Sequence, residues 1–133
     1  GKDKEMQTIR TAAANGDIDA EETINVVTYR IASYFSRYLG LMREPKGLVF
    51  TAGIGENESV IRNEVLRRMR MYNWQINAEH NYKRGENVCI AESATIPGLQ
   101  AWVIPTNEEL IYAEDTLGIA LNGKVPEKYS FEK

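Results

Sequence analysis

A glycine-containing segment, Gly53-Ile54-Gly55-Glu56-Asn57, joins an apolar run to a helix-like pattern. A turn between a strand and a helix collects unpaired backbone N–H groups and the positive end of the helix dipole, and both attract phosphate. Gly53 and Gly55 would let the backbone approach a ligand closely, and Asn57 would cap the helix or present its amide to a nucleotide. The segment is neither a P-loop nor the dinucleotide fingerprint. On spacing alone, a tight turn that requires glycine is the simpler interpretation, and phosphate contact is the alternative.

A pair of carboxylates, Glu108 and Glu109, follows a second apolar run. Magnesium in phosphoryl-transfer sites commonly takes one or two carboxylates and keeps several waters. Residues that come just after a strand also lie at the edge where an α/β site opens. However, Thr106 and Glu109 have the T-x-x-E spacing of a capping box, and any acid is favourable at the start of a helix. We therefore predict that Glu109 mainly caps a helix, and acidity alone assigns no metal role.

Two other reactive residue types occur once each. Cys89 is the only cysteine, so the chain forms no internal disulfide or cysteine-based zinc cluster, and its apolar-alternating surroundings favour packing over nucleophilic chemistry. His80 is the only histidine and lies in a polar stretch without partner ligands for a metal. No catalytic residue is predicted within the chain.

The apolar spacing predicts two helices in the first third of the chain. A shorter helix spans Met6–Ala14 and is broken by Asn15-Gly16-Asp17. A long helix starts near Asp19, which has capping-box spacing with Glu22, and ends at about Gly40. Steps of three and four give the long helix one apolar stripe, formed by Ile24, Val27, Ile31, Tyr34, Phe35 and Tyr38.

The remaining pattern alternates strands with helices. Residues 47–52 are predicted to form a buried parallel strand, from which the glycine-containing segment leads into a second helix. A last helix is predicted from Asn107 to about Leu121. Alternating helices and buried strands imply an α/β layer architecture with parallel pairings. The second helix carries Val60, Ile61, Val65, Leu66, Met69 and Tyr72, and the other strand candidates are Trp74–Asn77, Val88–Glu92 and Ala101–Ile104.

Length and composition are those of one soluble globular domain spanning residues 1–133. Hydrophobic residues make up 43% and charged residues 26% of the chain, which is ordinary globular usage. The net charge of −3 gives no electrostatic reason to expect nucleic acid or an anionic membrane as a partner. No apolar run approaches the roughly 20 residues that span a bilayer, and no signal-peptide core follows the charged opening. We therefore expect a cytoplasmic protein.

Two long segments resemble the acetate kinase family, which includes acetate and propionate kinases. Residues 48–57, followed by Val60, Ile61 and Arg62, are similar to the family's VFTxGIGEN segment. Residues 103–110 are similar to its VIPTNEEL segment and come about 50 residues later, as in the family. The two segments occur in the right order and spacing, and the helices around them also fit, so the resemblance covers nearly the whole chain.

The resemblance implies a ribonuclease H-like domain of the actin-like, sugar-kinase superfamily, in which paired domains clasp ATP. It implies that the chain is the C-terminal, nucleotide-binding part of a two-domain kinase that is a homodimer at full length. It places Gly53, Ile54, Gly55, Glu56 and Asn57 in the ATP site, with backbone contact at the glycines and side-chain contact at Asn57. It also makes Glu108 the carboxylate associated with Mg²⁺, directly or through water.

One family element departs from the pattern. The family has a D-x-R nucleotide-contact element before the long helix, which aligns here with Glu5-Met6-Gln7. Gln7 does not supply the cationic, bidentate contact of an arginine, so no site residue is assigned there.

The implied activity is reversible transfer of the γ-phosphoryl group of ATP to acetate or propionate, which gives an acyl phosphate and ADP. The acyl pocket and the residues that stabilise the transferring group belong to the family's N-terminal portion, so the chain is expected to be inactive alone. Another kinase of the superfamily, such as a butyrate kinase, is a first alternative. A non-catalytic nucleotide-binding or dimerisation module of the same fold is a second.

Overall fold

The structure, a computed structural model, describes residues 2–51, 58–83, 85–105, 111–114 and 119–120. Helices α1 (Lys2–Ala14) and α2 (Ile18–Leu39) come first, before strand β1 (Gly47–Phe50) and helix α3 (Ser59–Arg68). The described elements that follow are a 3₁₀ turn (Arg70–Tyr72), β2 (Trp74–Ile76), α4 (Ala78–Asn81), β3 (Val88–Ser93), β4 (Gln100–Val103), β5 (Ile111–Glu114) and β6 (Ile119–Ala120).

The strands form one sheet in the order β2-β3-β4-β1-β5-β6. The pair of β1 and β4 is parallel, whereas the other four described pairings are antiparallel. The predicted α/β class is confirmed, but the expectation of generally parallel pairings is wrong. The pairs β2–β3, β3–β4 and β5–β6 join strands that follow one another in the chain and turn back, whereas β1 and β5 pair antiparallel although they are far apart in sequence.

Helix α2 begins one residue before the predicted start. Its N-cap is Asp17, whose Oδ1 accepts a hydrogen bond from the Ala20 N–H at 3.1 Å. The predicted capping box at Asp19 and Glu22 is therefore wrong. Gly16, with φ of +90°, lets the chain turn sharply between α1 and α2 and brings Asp17 into the cap position.

Part of the predicted apolar stripe of α2 packs in the core: Ile31 and Phe35 are buried there, and Ile24 and Val27 pack against it. Phe35 of α2 meets Phe50 of β1 edge to face, with ring centroids 5.4 Å apart. Helices α1 and α3 both pack against α2, and all three helices contribute residues to one core with the sheet. The buried core formed between them fixes the position of β1. Its sheet residues include Leu48, Phe50, Ile90, Ala101 and Val103, and its α3 residues include Ile61, Val65 and Leu66.

The prediction of a helix from Asn107 to Leu121 is wrong for the described residues of this range. Residues Ile111–Glu114 form β5, paired antiparallel with β1, and Ile119–Ala120 form β6. The edge of β1 away from β4 would otherwise leave backbone groups unpaired, and β5 supplies their partners. Isoleucine and tyrosine, both strand formers, suit Ile111 and Tyr112 to this role.

None of the described helices is both long enough and apolar enough to cross a bilayer.

Candidate functional site at the carboxyl edge of β1 and β4

The carboxyl ends of β1 and β4 lie side by side at one edge of the sheet. Phe50 of β1 is opposite Val103 of β4 in the parallel register. On the other side of β1, Phe50 is opposite Ile111 of β5. Because β5 runs antiparallel to β1, its first residue lies at the same edge. Three segments of the chain therefore meet around Phe50, and we call this place the β1–β4 carboxyl edge.

Two hydrogen bonds tie the strand ends together there. The backbone N–H of Ile104 donates to the carbonyl of Phe50 at 2.9 Å. The Thr51 hydroxyl in turn donates to the carbonyl of Ile104, and Thr51 is only 2% exposed. A buried hydroxyl needs such a partner, because an unsatisfied polar group in the interior is costly. The chain is thus held firmly on both strands just before each of the two predicted site segments.

The predicted site residues themselves fall outside the described ranges, but their neighbours show where each segment opens. The first segment leaves β1 after Thr51 and returns at Glu58. The second leaves β4 after Pro105 and returns at Ile111. Phe50 is opposite both Val103 of β4 and Ile111 of β5, so the described flanks of both segments lie at the β1–β4 carboxyl edge. Outside the described residues lie the predicted metal ligand Glu108 and the predicted nucleotide contacts Gly53, Ile54, Gly55, Glu56 and Asn57.

The cap predicted at Thr106 and Glu109 also lies in the undescribed part of the second segment. The strand at Ile111–Glu114 removes the long helix that this cap was expected to begin.

The start of α3 carries an ion pair whose carboxylate is buried. Glu58 occupies the N-cap position of α3, is 4% exposed and makes no cap hydrogen bond with its side chain. Its Oε2 accepts a hydrogen bond from Nε of Arg10 on α1, at 2.9 Å. The pair connects α1 to the residue at which the chain returns from the glycine-containing segment.

A second polar cluster holds the same helix start from the other side. Arg62 is 1% exposed, and its Nε donates to Oδ1 of Asn81 at 2.8 Å. Its Nη2 also donates to the Asn81 carbonyl. The Asn81 side-chain amide donates to the carbonyl of Ser59 at 2.9 Å. Asn81 therefore connects α4 to the first turn of α3, and the buried guanidinium is hydrogen-bonded, as a charge in the interior must be.

Sequence reasoning assigned no role to these supporting residues. Arg10 and Glu58 are 48 positions apart, and neither belongs to a local pattern that would pair them. Arg62 did carry a signal, because at 100° per residue it falls between Val65 and Leu66 on the apolar face of α3. An arginine within an apolar stripe indicates a buried guanidinium that needs partners.

His80 and Cys89 lie away from this edge, beside β2 and β3. Together with strand residues they line a surface depression of about 450 Å³. Nδ1 of His80 is 3.0 Å from the carbonyl of Cys89, and the Cys89 thiol contacts the carbonyl of Ala91 at 3.5 Å. Burial raises the pKa of the Cys89 thiol, and this favours the unreactive thiol form. Both residues behave as structural groups.

Within the described ranges, no three His, Cys, Asp or Glu side chains come together as a metal site. Glu5, Met6 and Gln7 align with the family's D-x-R element. Met6 of α1 lies in the hydrophobic core, whereas Glu5 and Gln7 are exposed.

The chain is similar to known proteins over most of its length. The sequence profile of the Acetokinase family matches residues 1–114. The chain belongs to the acetokinase family. It is 34% identical over 122 residues to the acetate kinase of Acetivibrio thermocellus, covering 92% of this chain and 30% of that protein. It is 38% identical over 117 residues to the acetate kinase of Shouchella clausii, covering 88% and 29%.

Solved structures agree with the family assignment. A propionate kinase from Francisella tularensis subsp. tularensis SCHU S4 matches with a TM-score of 0.67 and 31% identity, over 78% of this chain and 26% of that one. An acetate kinase of Porphyromonas gingivalis matches with a TM-score of 0.66, at the same identity and coverage. The predicted actin-like superfamily fold is confirmed. The chain spans about 30% of the length of the curated relatives it matches.

Proposed function

We propose that this chain is the nucleotide- and magnesium-binding portion of a kinase that transfers the γ-phosphoryl group of ATP to acetate or propionate, reversibly. The product pair is an acyl phosphate and ADP. The observation that carries the proposal is the position of Thr51, Ile104 and Ile111, which flank the two segments and lie together at the β1–β4 carboxyl edge, where ligands of α/β sheets commonly bind. Family membership supports the reaction class, because both acetate kinases and a propionate kinase match the chain.

In this proposal the glycine-containing segment binds the phosphates of ATP. Gly53 and Gly55 let the backbone approach the nucleotide, Ile54 and Glu56 complete the segment, and Asn57 contacts the ligand with its side chain. The described flanks favour this role. Thr51 is buried and hydrogen-bonded before the segment, and α3 begins directly after it, so the segment spans two rigid anchors.

Magnesium fits the chemistry of the second segment. Glu108 and Glu109 are hard oxygen donors, and a divalent cation is the usual means of neutralising phosphate charge in phosphoryl transfer. We assign Glu108 to the metal, directly or through water. Bound Mg²⁺ would offset the charge of the phosphates, while this chain's own residues bind and orient the nucleotide.

The proposal extends to the whole enzyme. Transfer to the acyl acceptor requires positioned groups on both sides of the nucleotide. We assign the acyl pocket to the N-terminal portion of the kinase and this chain to its C-terminal domain, in a cytoplasmic homodimer. The outer face of α2 is suited to a protein contact, since the large apolar residues Ile18, Val26 and Tyr29 are exposed there.

Calorimetric titration tests the nucleotide role. The purified chain should bind ATP, and Mg²⁺ should tighten that binding. Glu108→Ala should abolish most of this Mg²⁺ effect, so that the apparent affinity for ATP in the presence of Mg²⁺ falls about tenfold. The melting temperature should change little. Glu109→Ala, the adjacent carboxylate, is the matched control and should retain it. No acetyl phosphate should form from acetate and ATP with the chain alone.

Two results would count against the proposal. An absence of ATP binding at millimolar concentration would remove the nucleotide role. Equal, small effects of the two glutamate substitutions would remove the metal role of Glu108 and leave only the glycine-containing segment.

A further inference from the structure

A buried carboxylate lies where the proposed nucleotide segment ends. Glu58 comes directly after Asn57, at the N-cap of α3, and is 4% exposed. A negative charge at a helix start is favourable to the helix dipole, but it opposes the polyphosphate of a nucleotide bound beside it. The position therefore needs an explanation in a site that is to take ATP.

Arg10 supplies the compensating charge from a different part of the chain. Nε of Arg10 donates a hydrogen bond to Oε2 of Glu58 at 2.9 Å. The Arg10 side chain is 37% exposed, whereas that of Glu58 is 6% exposed. Because the pair links α1 to α3, it also restrains the first turn of α3, in which the Arg62 N–H donates to the Glu58 carbonyl at 3.1 Å.

We propose that Arg10 is a positioning residue for the nucleotide site: through its ion pair with Glu58 it holds the first turn of α3 and neutralises the carboxylate beside the bound phosphates. Arg10 acts through Glu58 and does not touch the nucleotide. The inference rests on the proposed nucleotide site for its electrostatic part, and on the structure alone for its restraint of α3.

The chain offers a matched control at the opposite end of the same helix. Arg68 donates from Nη2 to Oδ1 of Asn25 on α2 at 2.9 Å, and its Nε lies 3.6 Å from Glu64. Like Arg10, it connects α3 to another helix and forms an ion pair. Arg10→Met and Arg68→Met each remove one positive charge and keep most of the aliphatic stem, but Arg10 pairs with a buried carboxylate and Arg68 with a more exposed one.

Affinities for MgATP and for adenosine test the electrostatic part. Arg10→Met should weaken MgATP binding roughly tenfold, the effect of one unit charge about 10 Å away at an effective dielectric constant of about 20. Binding of uncharged adenosine should change less than about twofold. Arg68→Met should alter neither by more than about twofold, and the double variant Arg10→Met/Glu58→Gln should recover MgATP affinity to within about threefold of the original.

Equal losses in Arg10→Met and Arg68→Met would overturn the inference, as would equal losses for MgATP and adenosine, or no recovery in the double variant. If Arg10→Met does not fold, Glu58→Gln decides in its place. That single substitution leaves the arginine charge unopposed and should leave MgATP affinity unchanged or higher, and a clear loss would contradict the electrostatic role.

Hydrogen exchange without any nucleotide separates this inference from the proposed function. Arg10→Met should speed exchange at the hydrogen-bonded amides of residues 62–64 severalfold, whereas Arg68→Met should leave those amides unchanged. If the original chain binds no ATP, the proposed function fails, and the exchange result still decides whether Arg10 restrains α3. Unchanged exchange at residues 62–64 would overturn that restraint.

Discussion

Two regions of the molecule carry polar residues beside the sheet, and they differ in how those residues are held. At the ends of β1 and β4 and in the first turn of α3, Thr51, Glu58 and Arg62 are nearly inaccessible and each has a hydrogen-bond partner. In the depression beside β2 and β3, His80 and Cys89 are only partly buried and contact backbone carbonyls. The more reactive residue types are thus in the less constrained region.

Buried polar groups lower stability unless each is satisfied. Their clustering at the ends of β1 and β4 and at the start of α3 therefore indicates that these parts must be held in a fixed geometry. His80 and Cys89 have reactive side chains, but their described partners are backbone carbonyls. The proposed site is at the β1–β4 carboxyl edge, and the following predictions test the contrast.

The largest expected effect comes from Asn81→Ala. The substitution removes an acceptor from the buried Arg62 guanidinium and a donor from the Ser59 carbonyl, so the free energy of unfolding should fall by about 2–4 kcal/mol. Asn25→Ala, which removes an exposed partner of Arg68, should cost less than about 0.5 kcal/mol. Urea unfolding followed by circular dichroism measures both, and similar costs would show that the Arg62–Asn81 cluster is no more constrained than the surface.

An intermediate effect is expected from Thr51→Val. Valine keeps the shape of threonine and removes the hydroxyl that donates to the Ile104 carbonyl, so we expect a loss of about 1–2 kcal/mol. Thr95→Val, in an exposed turn where Thr95 accepts from Asn73, should cost less than about 0.5 kcal/mol. The comparison uses the same unfolding assay. A Thr51 cost no larger than that of Thr95 would argue against a firm tie between β1 and β4.

The smallest effect concerns Cys89. Burial raises its pKa above the ordinary value of 9.0; a backbone hydrogen bond with Ala91 partly opposes this shift, and the charge of Glu92 adds to it. Less thiolate then exists in the folded chain at pH 8, so a disulfide reagent should react severalfold more slowly with the folded chain than with the chain in urea. Faster reaction in the folded state would indicate an activated thiol.

The stability change linked to Cys89 has a definite sign. A thiol with a raised folded-state pKa contributes stability below its unfolded pKa, and that contribution is lost as the pH rises through the folded pKa. Unfolding midpoints of the original chain and Cys89→Ser should therefore converge or cross above about pH 9, not in the acidic range.

The sequence was most informative where a local pattern determines the structure. The apolar stripe of α2 and the strands β1 to β4 are all at or near their predicted positions, because periodicity and β-branched runs are local signals. The strand at Ile111–Glu114 was predicted as a helix, because its conformation depends on pairing with β1, far away in sequence. Local helix signals at Asn107 to Leu121 did not contain that information.

The candidate site divides in the same way. Motif residues such as Gly53 and Glu108 are visible in sequence because they are contiguous with strand and helix signals. The supporting pair of Arg10 and Glu58 was not, since it joins α1 to α3 across 48 positions. Asn81 was hidden similarly, because its partner Arg62 is 19 residues away. Such tertiary contacts depend on how the helices pack, and one sequence does not specify them in any short pattern.

In the proposed site, both predicted segments contact one metal–nucleotide complex at the β1–β4 carboxyl edge. Titration of the isotope-labelled chain with MnATP, observed by nuclear magnetic resonance, tests it directly, because Mn²⁺ broadens nearby amide signals. We predict loss of signals from residues 51–58 and from residues 104–111 at the same low MnATP concentration, while signals of His80 and Cys89 persist. Broadening confined to the depression beside β2 and β3, or to one of the two segments, would contradict the claim.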